Sequence, residues 1–542
     1  MRLALVALAF ATLLLQGYHP FAEDGGLYVA GIEYTLDPTL FPHDTAFVTE
    51  HLRFSLFAPT LAALAQHTHL PLPWVLLLVD LLSLCLTFYA AHKLLQRCTS
   101  SRPAQLAGLC LLSVFWVLPI AGTSLMLMDP YVTGRSLSTP LTLLAIAFAL
   151  DPWPSVFRHK ARVPHSSRAL KRDEWETTNP IASLIICTIS LLIAALFHPL
   201  MAAYALAFVL ILRLTRLRRR ALAYALLLLA ALALAATLQS ITPRSSPALL
   251  AAELSRYYWF LSQWQWFELL GLAGPLLILT LLLLHRYRNR HSPLDNTAAT
   301  LCRAAIAAGL IATTIALLFA HESSRAHLVA RLQPLRIFLP IYAVMTLLLG
   351  ATLTQLTLEA HQRATSRTRR FALISLPATT LLALAVVMFY VQRQTFPASE
   401  HLELPSLAAN NPNSNANPPR NPWTRAFLWA RDNTPRDALF ALDAKYVNED
   451  GEDAQTFRAI ALRSALPDFS KDGGEAAITP ALADLWQPAA AAQSHLYTLS
   501  DATRDARILP FGATWIVLHS NVPTHHPCPY DNGTVKVCRL LP

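Results

Sequence analysis

Two adjacent carboxylates, Glu23 and Asp24, stand directly after the first apolar run of the chain. Such a pair can divide labour: one group accepts a proton from an acceptor hydroxyl, and the other positions that acceptor or holds a cation. An acidic pair before Gly25-Gly26 also fits an ordinary polar turn, so position along the chain has to separate the readings. Further along, Asp129 and Arg135 bracket Pro130-Tyr131-Val132-Thr133-Gly134, a two-sign cluster that suits a polar substrate or a structural ion pair. His198, in Phe197-His198-Pro199, lies where two apolar runs meet, as a satisfied boundary residue or a substrate contact. His321-Glu322, Arg325, His327, Arg331 and Arg336 gather before another run. Guanidinium groups suit bidentate phosphate binding, so Arg331 and Arg336 are the candidates for holding a phosphate. Tyr257-Tyr258-Trp259-Phe260 and Trp264-Gln265-Trp266-Phe267 form a dense aromatic stretch. Its ordinary meaning is interfacial anchoring, although Trp264 and Trp266 are also of the type that stacks on sugars.

The elements that position these groups are apolar. Of 542 residues, 54% are hydrophobic and only 14% charged, where a soluble domain carries roughly 25% charged residues. Runs of the length needed to cross a bilayer occur near 2–17, 72–95, 104–121, 136–151, 179–197, 199–213, 221–240, 268–285, 304–320, 335–357 and 372–391, about eleven in all. The first is short and reads as an uncleaved signal anchor, with a signal peptide as the competing reading. Asp80 lies inside the second run, and an intramembrane carboxylate is costly enough to be functional by default.

The formal charge of +10 is spent on alternate loops, with no basic patch interleaved with aromatics of the kind a nucleic-acid groove needs. Basic clusters follow one another at Lys93–Arg102, Arg158–Arg172, Arg213–Arg220, Arg286–Arg303 and Arg363–Arg370, and the loops between them hold isolated arginines. The positive-inside rule then places the N-terminus in the cytoplasm and the C-terminal end outside. Residues 1–391 form the membrane domain, with a polar outer loop at 18–70 whose segment Phe54–Leu70 has near-helical apolar spacing and suits an interfacial helix. Residues 392–422, rich in Asn and Pro around Asn410–Asn415, read as a linker. From Trp423 to Pro542 the composition is that of a small α/β domain, with strands expected at Ala438–Leu442, Thr514–Leu518 and Val535–Leu540. Cys528 and Cys538 can close a disulfide there if that end faces an oxidising compartment. No cysteine or histidine spacing is that of a metal site.

The expected fold is therefore an α-helical polytopic membrane protein with a small C-terminal extracytoplasmic α/β domain. An acidic pair after the first span, an amphipathic stretch in the same loop and a soluble domain after the last span resemble the C-type glycosyltransferase superfamily of membrane enzymes. That resemblance implies a donor sugar carried on polyprenyl phosphate, membrane lipid as surroundings and a bacterial plasma membrane as location. It also implies an acceptor-activating carboxylate at Asp24 or Glu23, and a carrier-phosphate contact at Arg331 or Arg336. It implies no separate cofactor. The chain lacks an acidic DxD tripeptide in an outer loop, which leaves a metal-dependent mechanism without sequence support. A non-catalytic lipid-binding, scaffold or transport-like protein is the alternative. Transporters usually place their polar sites at the membrane midplane, and here the polar residues crowd the ends of the spans.

Overall fold

The computed structural model describes residues 1–151, 179–288, 293–405, 418–448 and 456–540. The basic cluster Arg158–Arg172, Arg290, the Asn410–Asn415 stretch and the acidic residues Asp450, Glu452 and Asp453 lie outside the described residues. Each of the eleven apolar runs contains a helix: Arg2–Gln16, Leu72–Gln96, Arg102–Val114, Gly134–Ala149, Pro180–Phe197, Pro199–Leu214, Arg220–Ile241, Trp266–Arg288, Pro293–Phe319, Phe338–Arg363 and Arg367–Thr395. Seven described helices are long and apolar enough to cross a membrane, and Arg2–Gln16 and Pro199–Leu214 are apolar but shorter. The run expected over 104–121 is helical only to Val114. Beyond Val114 the chain doubles back through a bridge between Pro119 and Met126.

The bundle core joins Leu84, Phe88, Leu112, Leu143, Phe208, Phe338 and Leu347 from five helices. Leucines on the outer faces of several helices stay bare, for example Leu229 at 62% and Leu382 at 65% exposure, as a lipid-facing surface requires. At one end of the bundle Arg97 bonds Asp151 (Nε to Oδ1, 2.9 Å), and Arg213 and Arg216 donate to the Asp151 carbonyl at 2.9 and 3.2 Å. Residues read as belonging to one side of the membrane thus meet at one end.

The opposite end carries the polar loop and the C-terminal domain. Within the loop, Asp24–Leu36 and Phe57–Thr68 are helices packed on each other through Val29, Ile32, Phe57 and Leu61. The expected amphipathic segment is therefore a helix, with Phe54 and Leu56 exposed just before it. After the last long helix, residues 396–405 return to the bundle. Tyr18 N donates to the His401 carbonyl at 3.0 Å, Glu403 N to the Tyr18 carbonyl at 2.9 Å, and His19 pairs with Glu403 at 3.0 Å. This part of the expected linker is an anchor for the acidic loop.

The C-terminal domain is built on a five-stranded sheet, β1 (Leu439–Ala441), β2 (Ser464–Ala465), β3 (Trp515–His519), β4 (Tyr530–Asp531) and β5 (Val535–Arg539), in the order β2-β1-β3-β5-β4. β1 is parallel to β2 and β3, whereas β5 is antiparallel to β3 and β4. The three strands expected from sequence are β1, β3 and β5. A disulfide joins Cys528 to Cys538.

Candidate functional site

Asp24 opens the helix Asp24–Leu36, and Glu23 before it holds a positive φ of 48°, a strained conformation for a residue with a Cβ. The chain approaches other backbone closely here. A Cβ on Gly26 would stand 2.2 Å from the Thr456 side chain of the C-terminal domain, so only glycine lets the two meet. Arg135 is placed by a second helix start. Thr133 and Ser136 form a reciprocal capping box at the head of Gly134–Ala149, which fixes residue 135 in the first turn. From there its guanidinium bonds Asp129 (Nη2 to Oδ2, 2.9 Å; Nε to Oδ2, 3.2 Å) and Asp24 (Nη2 to Oδ2, 3.1 Å). Asp129 and Arg135 form the ion pair, and through Asp24 it extends to the acidic loop.

The third partner comes from the C-terminal domain. Lys471, first residue of the helix Lys471–Ile478, donates to Glu23 and to Asp24 (Nζ to Oδ1, 3.3 Å). Arg256 holds the approach to that helix by donating to the carbonyls of Ser470 and Phe469 at 2.5 and 2.6 Å. Burial pushes the Asp24 carboxyl up, but Lys471 and Arg135 together outweigh it and hold it well below the usual carboxylate range. Burial likewise raises Asp129, with Arg135 opposing.

These groups line a cavity of about 480 Å³ between the polar loop, the bundle and the domain. Asp24, Arg135, His198, Arg331 and Arg336 all border it, together with Tyr28, His51, Lys471 and Glu475. Its rim includes the apolar Phe54, Phe197, Leu200 and Leu332. His198 also caps the helix Pro199–Leu214, its Nδ1 accepting from Met201 N at 3.4 Å.

The two candidate phosphate-binding arginines differ. Arg331 bonds Glu253 (Nη2 to Oε1, 2.6 Å), a carboxylate with no exposure that His327 also bonds at 2.9 Å. Arg336 donates to no protein acceptor through its guanidinium among the described residues, and its Nε is buried without a partner. The Nε of Arg331 is likewise buried without a partner, so what separates the two is that Glu253 neutralises Arg331 while no carboxylate contacts Arg336 among the described residues. Glu23 pairs with Lys471 and does not border the cavity. The aromatic candidates fall elsewhere. Trp264 packs into the bundle core against Gly122, and Trp266 is 72% exposed at the head of Trp266–Arg288, so neither side chain reaches the cavity. Asp80 is buried and lines a small internal space with Gln16, Trp116 and Asp129 rather than facing lipid. Among the described residues no group of three or more His, Cys, Asp or Glu side chains is placed to hold a metal.

Lys471, Glu475, Tyr28 and His51 were not marked by sequence. The lysine and Glu475 lie about 450 residues downstream of Asp24 in a region that reads as a charged soluble surface, and no local spacing links them to the acidic loop.

No family model matches the chain, and no curated protein does. Among solved structures, the archaeal oligosaccharyltransferase AglB from Archaeoglobus fulgidus, in complex with an inhibitory peptide and a dolichol-phosphate, is similar in fold. The likeness has a TM-score of 0.50 at 13% identity and covers 95% of this chain and 69% of that one. Helical bundle, polar loop after the first helix and terminal α/β domain together give this chain the C-type glycosyltransferase fold.

Proposed function

We propose that this protein transfers a sugar from a polyprenyl-phosphate carrier to an acceptor hydroxyl at the outer face of a bacterial plasma membrane, with inversion at the anomeric carbon. The observation that carries the reading is the cavity itself, in which the ionised Asp24 and the unpartnered Arg336 border one space. The rim of Phe54, Leu200 and Leu332 suits a ligand with a lipid tail and a polar head. Arg336 would meet the carrier phosphate and stabilise it as it departs, an electrostatic role that often supplies the largest share of catalysis. Arg331 supports that wall through Glu253 instead of contacting phosphate directly. Asp24, kept charged by Lys471 and Arg135, would orient the acceptor and stabilise the positive charge that develops on the sugar ring. The fold likeness to an enzyme bound to a dolichol-phosphate agrees with a lipid-linked donor.

The alternative is a non-catalytic protein that binds a lipid phosphate. It draws support from Asp24, because a carboxylate paired with two cations and held low is a weak base. Release of sugar from undecaprenyl-phosphate-sugar donors by the purified, folded protein in lipid separates the two. Parental turnover that falls sharply in Asp24→Asn and Arg336→Ala supports transfer. Phosphate-lipid binding with no turnover on any common donor overturns it in favour of binding.

A further inference from the structure

Asp24 is poorly suited to accept a proton, and a transfer from a hydroxyl acceptor needs a group that can. The cavity contains one. Glu475 lies one helical turn after Lys471 on the domain's helix Lys471–Ile478, so it is presented on the same face, towards the cavity. It is 8% exposed, and its carboxylate accepts no hydrogen bond among the described residues, although a buried carboxylate is normally satisfied. Resting on the transfer reading above, we propose that Glu475 is the general base of this site and Asp24 the fixed anion in the same cavity. The catalytic centre would then be shared between the membrane bundle and the C-terminal domain.

In that step the acceptor O–H proton passes to Glu475 as the acceptor oxygen bonds to the anomeric carbon. The bond from that carbon to the carrier phosphate oxygen breaks, and the phosphate leaves with the electron pair beside Arg336. No oxidant, reductant or further reactant is required.

The surroundings of the two carboxylates push them apart. Lys471 and Arg135 are in contact with Asp24. Glu475 shares its helix with Asp472 and Lys471; Asp24 and Tyr28 face it from the helix Asp24–Leu36, Glu50 and His51 from the next turn of the loop, and Arg256 and Arg331 from the remaining wall. Burial, then Asp472, Glu50 and Asp24, raise the Glu475 carboxyl to about 8. Two carboxylates tuned in opposite directions within one cavity is the arrangement that assigns one to permanent charge and the other to proton transfer.

The test is the pH dependence of turnover by the full-length protein in lipid vesicles containing an undecaprenyl-phosphate sugar, with infrared titration of the carboxyl band as a second readout. A base works ionised, so the parent rate should climb with pH and level off above about 8. Glu475→Gln should lower kcat about 10²- to 10⁴-fold, remove the climbing limb and leave KM for the donor within about threefold. Glu475→Asp should restore part of both, and a carboxyl band titrating near that pH should be absent from folded Glu475→Gln. Asp24→Asn should lower the rate at every pH without removing the limb. Parental turnover with the limb intact in Glu475→Gln would overturn the assignment and leave the transfer reading standing. Absence of parental turnover, even with the band titrating as expected, would overturn both.

Discussion

Two regions of the molecule bury arginine, and they treat it in opposite ways. Where the C-terminal domain meets the polar loop, Arg458 is 4% exposed and fully paired. It bonds Asp472 twice, at 2.9 and 3.0 Å, and Asp44 of the loop, and it donates to the Ala465 carbonyl at 3.1 Å. Asp44 also accepts from Ala465 N at 3.0 Å, and Asp472 from Asp468 N at 2.8 Å. In the cavity, Arg336 is left with a buried, unpartnered Nε. A buried arginine whose donors are all claimed joins two parts of a protein, and removing it strands its carboxylate partners in a low dielectric. Arg336 borders an open cavity with no carboxylate in contact among the described residues, which leaves its charge free for a ligand. Arg331 falls between them: it borders the cavity, yet its charge is committed to Glu253.

The sharpest way to break this contrast is Arg458→Ala. It strands Asp44 and Asp472, and should destabilise the protein by about 3–5 kcal/mol, read as a lowered thermal midpoint in detergent. A loss under about 1 kcal/mol would mean the cluster does not join the domain to the loop. Next in size, Arg331→Ala leaves the fully buried Glu253 with His327 and Ser245 as partners, and should cost about 1–3 kcal/mol of stability by the same measurement. Arg336→Ala should instead leave the midpoint unchanged while affinity for undecaprenyl phosphate falls about 10- to 100-fold, about 1.4–2.8 kcal/mol. A midpoint that drops with affinity unmoved would make Arg336 structural and erase the comparison. The smallest expected effect is a slope. Glu475 has a folded pKa of about 8, above the unfolded carboxylate value, so between about pH 4.5 and 8 the folded state binds more protons and stability falls as pH rises. The slope is at most about 1.4 kcal/mol per pH unit, and Glu475→Gln should flatten it in denaturation series across that range.

Much of the architecture was legible because a bilayer imposes it locally. Every apolar run became a helix, since backbone polar groups in hydrocarbon must be satisfied within the segment. The exception lies in 104–121, which is helical only to Val114. β1, β3 and β5 were readable from short apolar stretches, whereas the two-residue β2 and β4 carry too few residues to show a pattern. On the site, Glu23, Asp24, Asp129, Arg135, His198, Arg331 and Arg336 were named from their positions at span ends, and all but Glu23 and Asp129 border the cavity. Trp264 and Trp266 were named from residue type, and type does not say which way a ring points. The linker reading missed residues 396–405, whose role rests on contacts with Tyr18 and His19 almost 400 residues away.

By itself the amino-acid sequence determined the helical runs, the acidic loop after the first of them and the change to a soluble α/β domain near Trp423, because each depends on residues close together in the chain. Only the tertiary structure decided that Lys471 neutralises Asp24, that Glu253 claims Arg331 and leaves Arg336 unpaired, and that Glu475 is buried on the cavity wall. Charge in a low dielectric takes its properties from whichever groups lie within a few ångströms. Here those groups come from opposite ends of the chain.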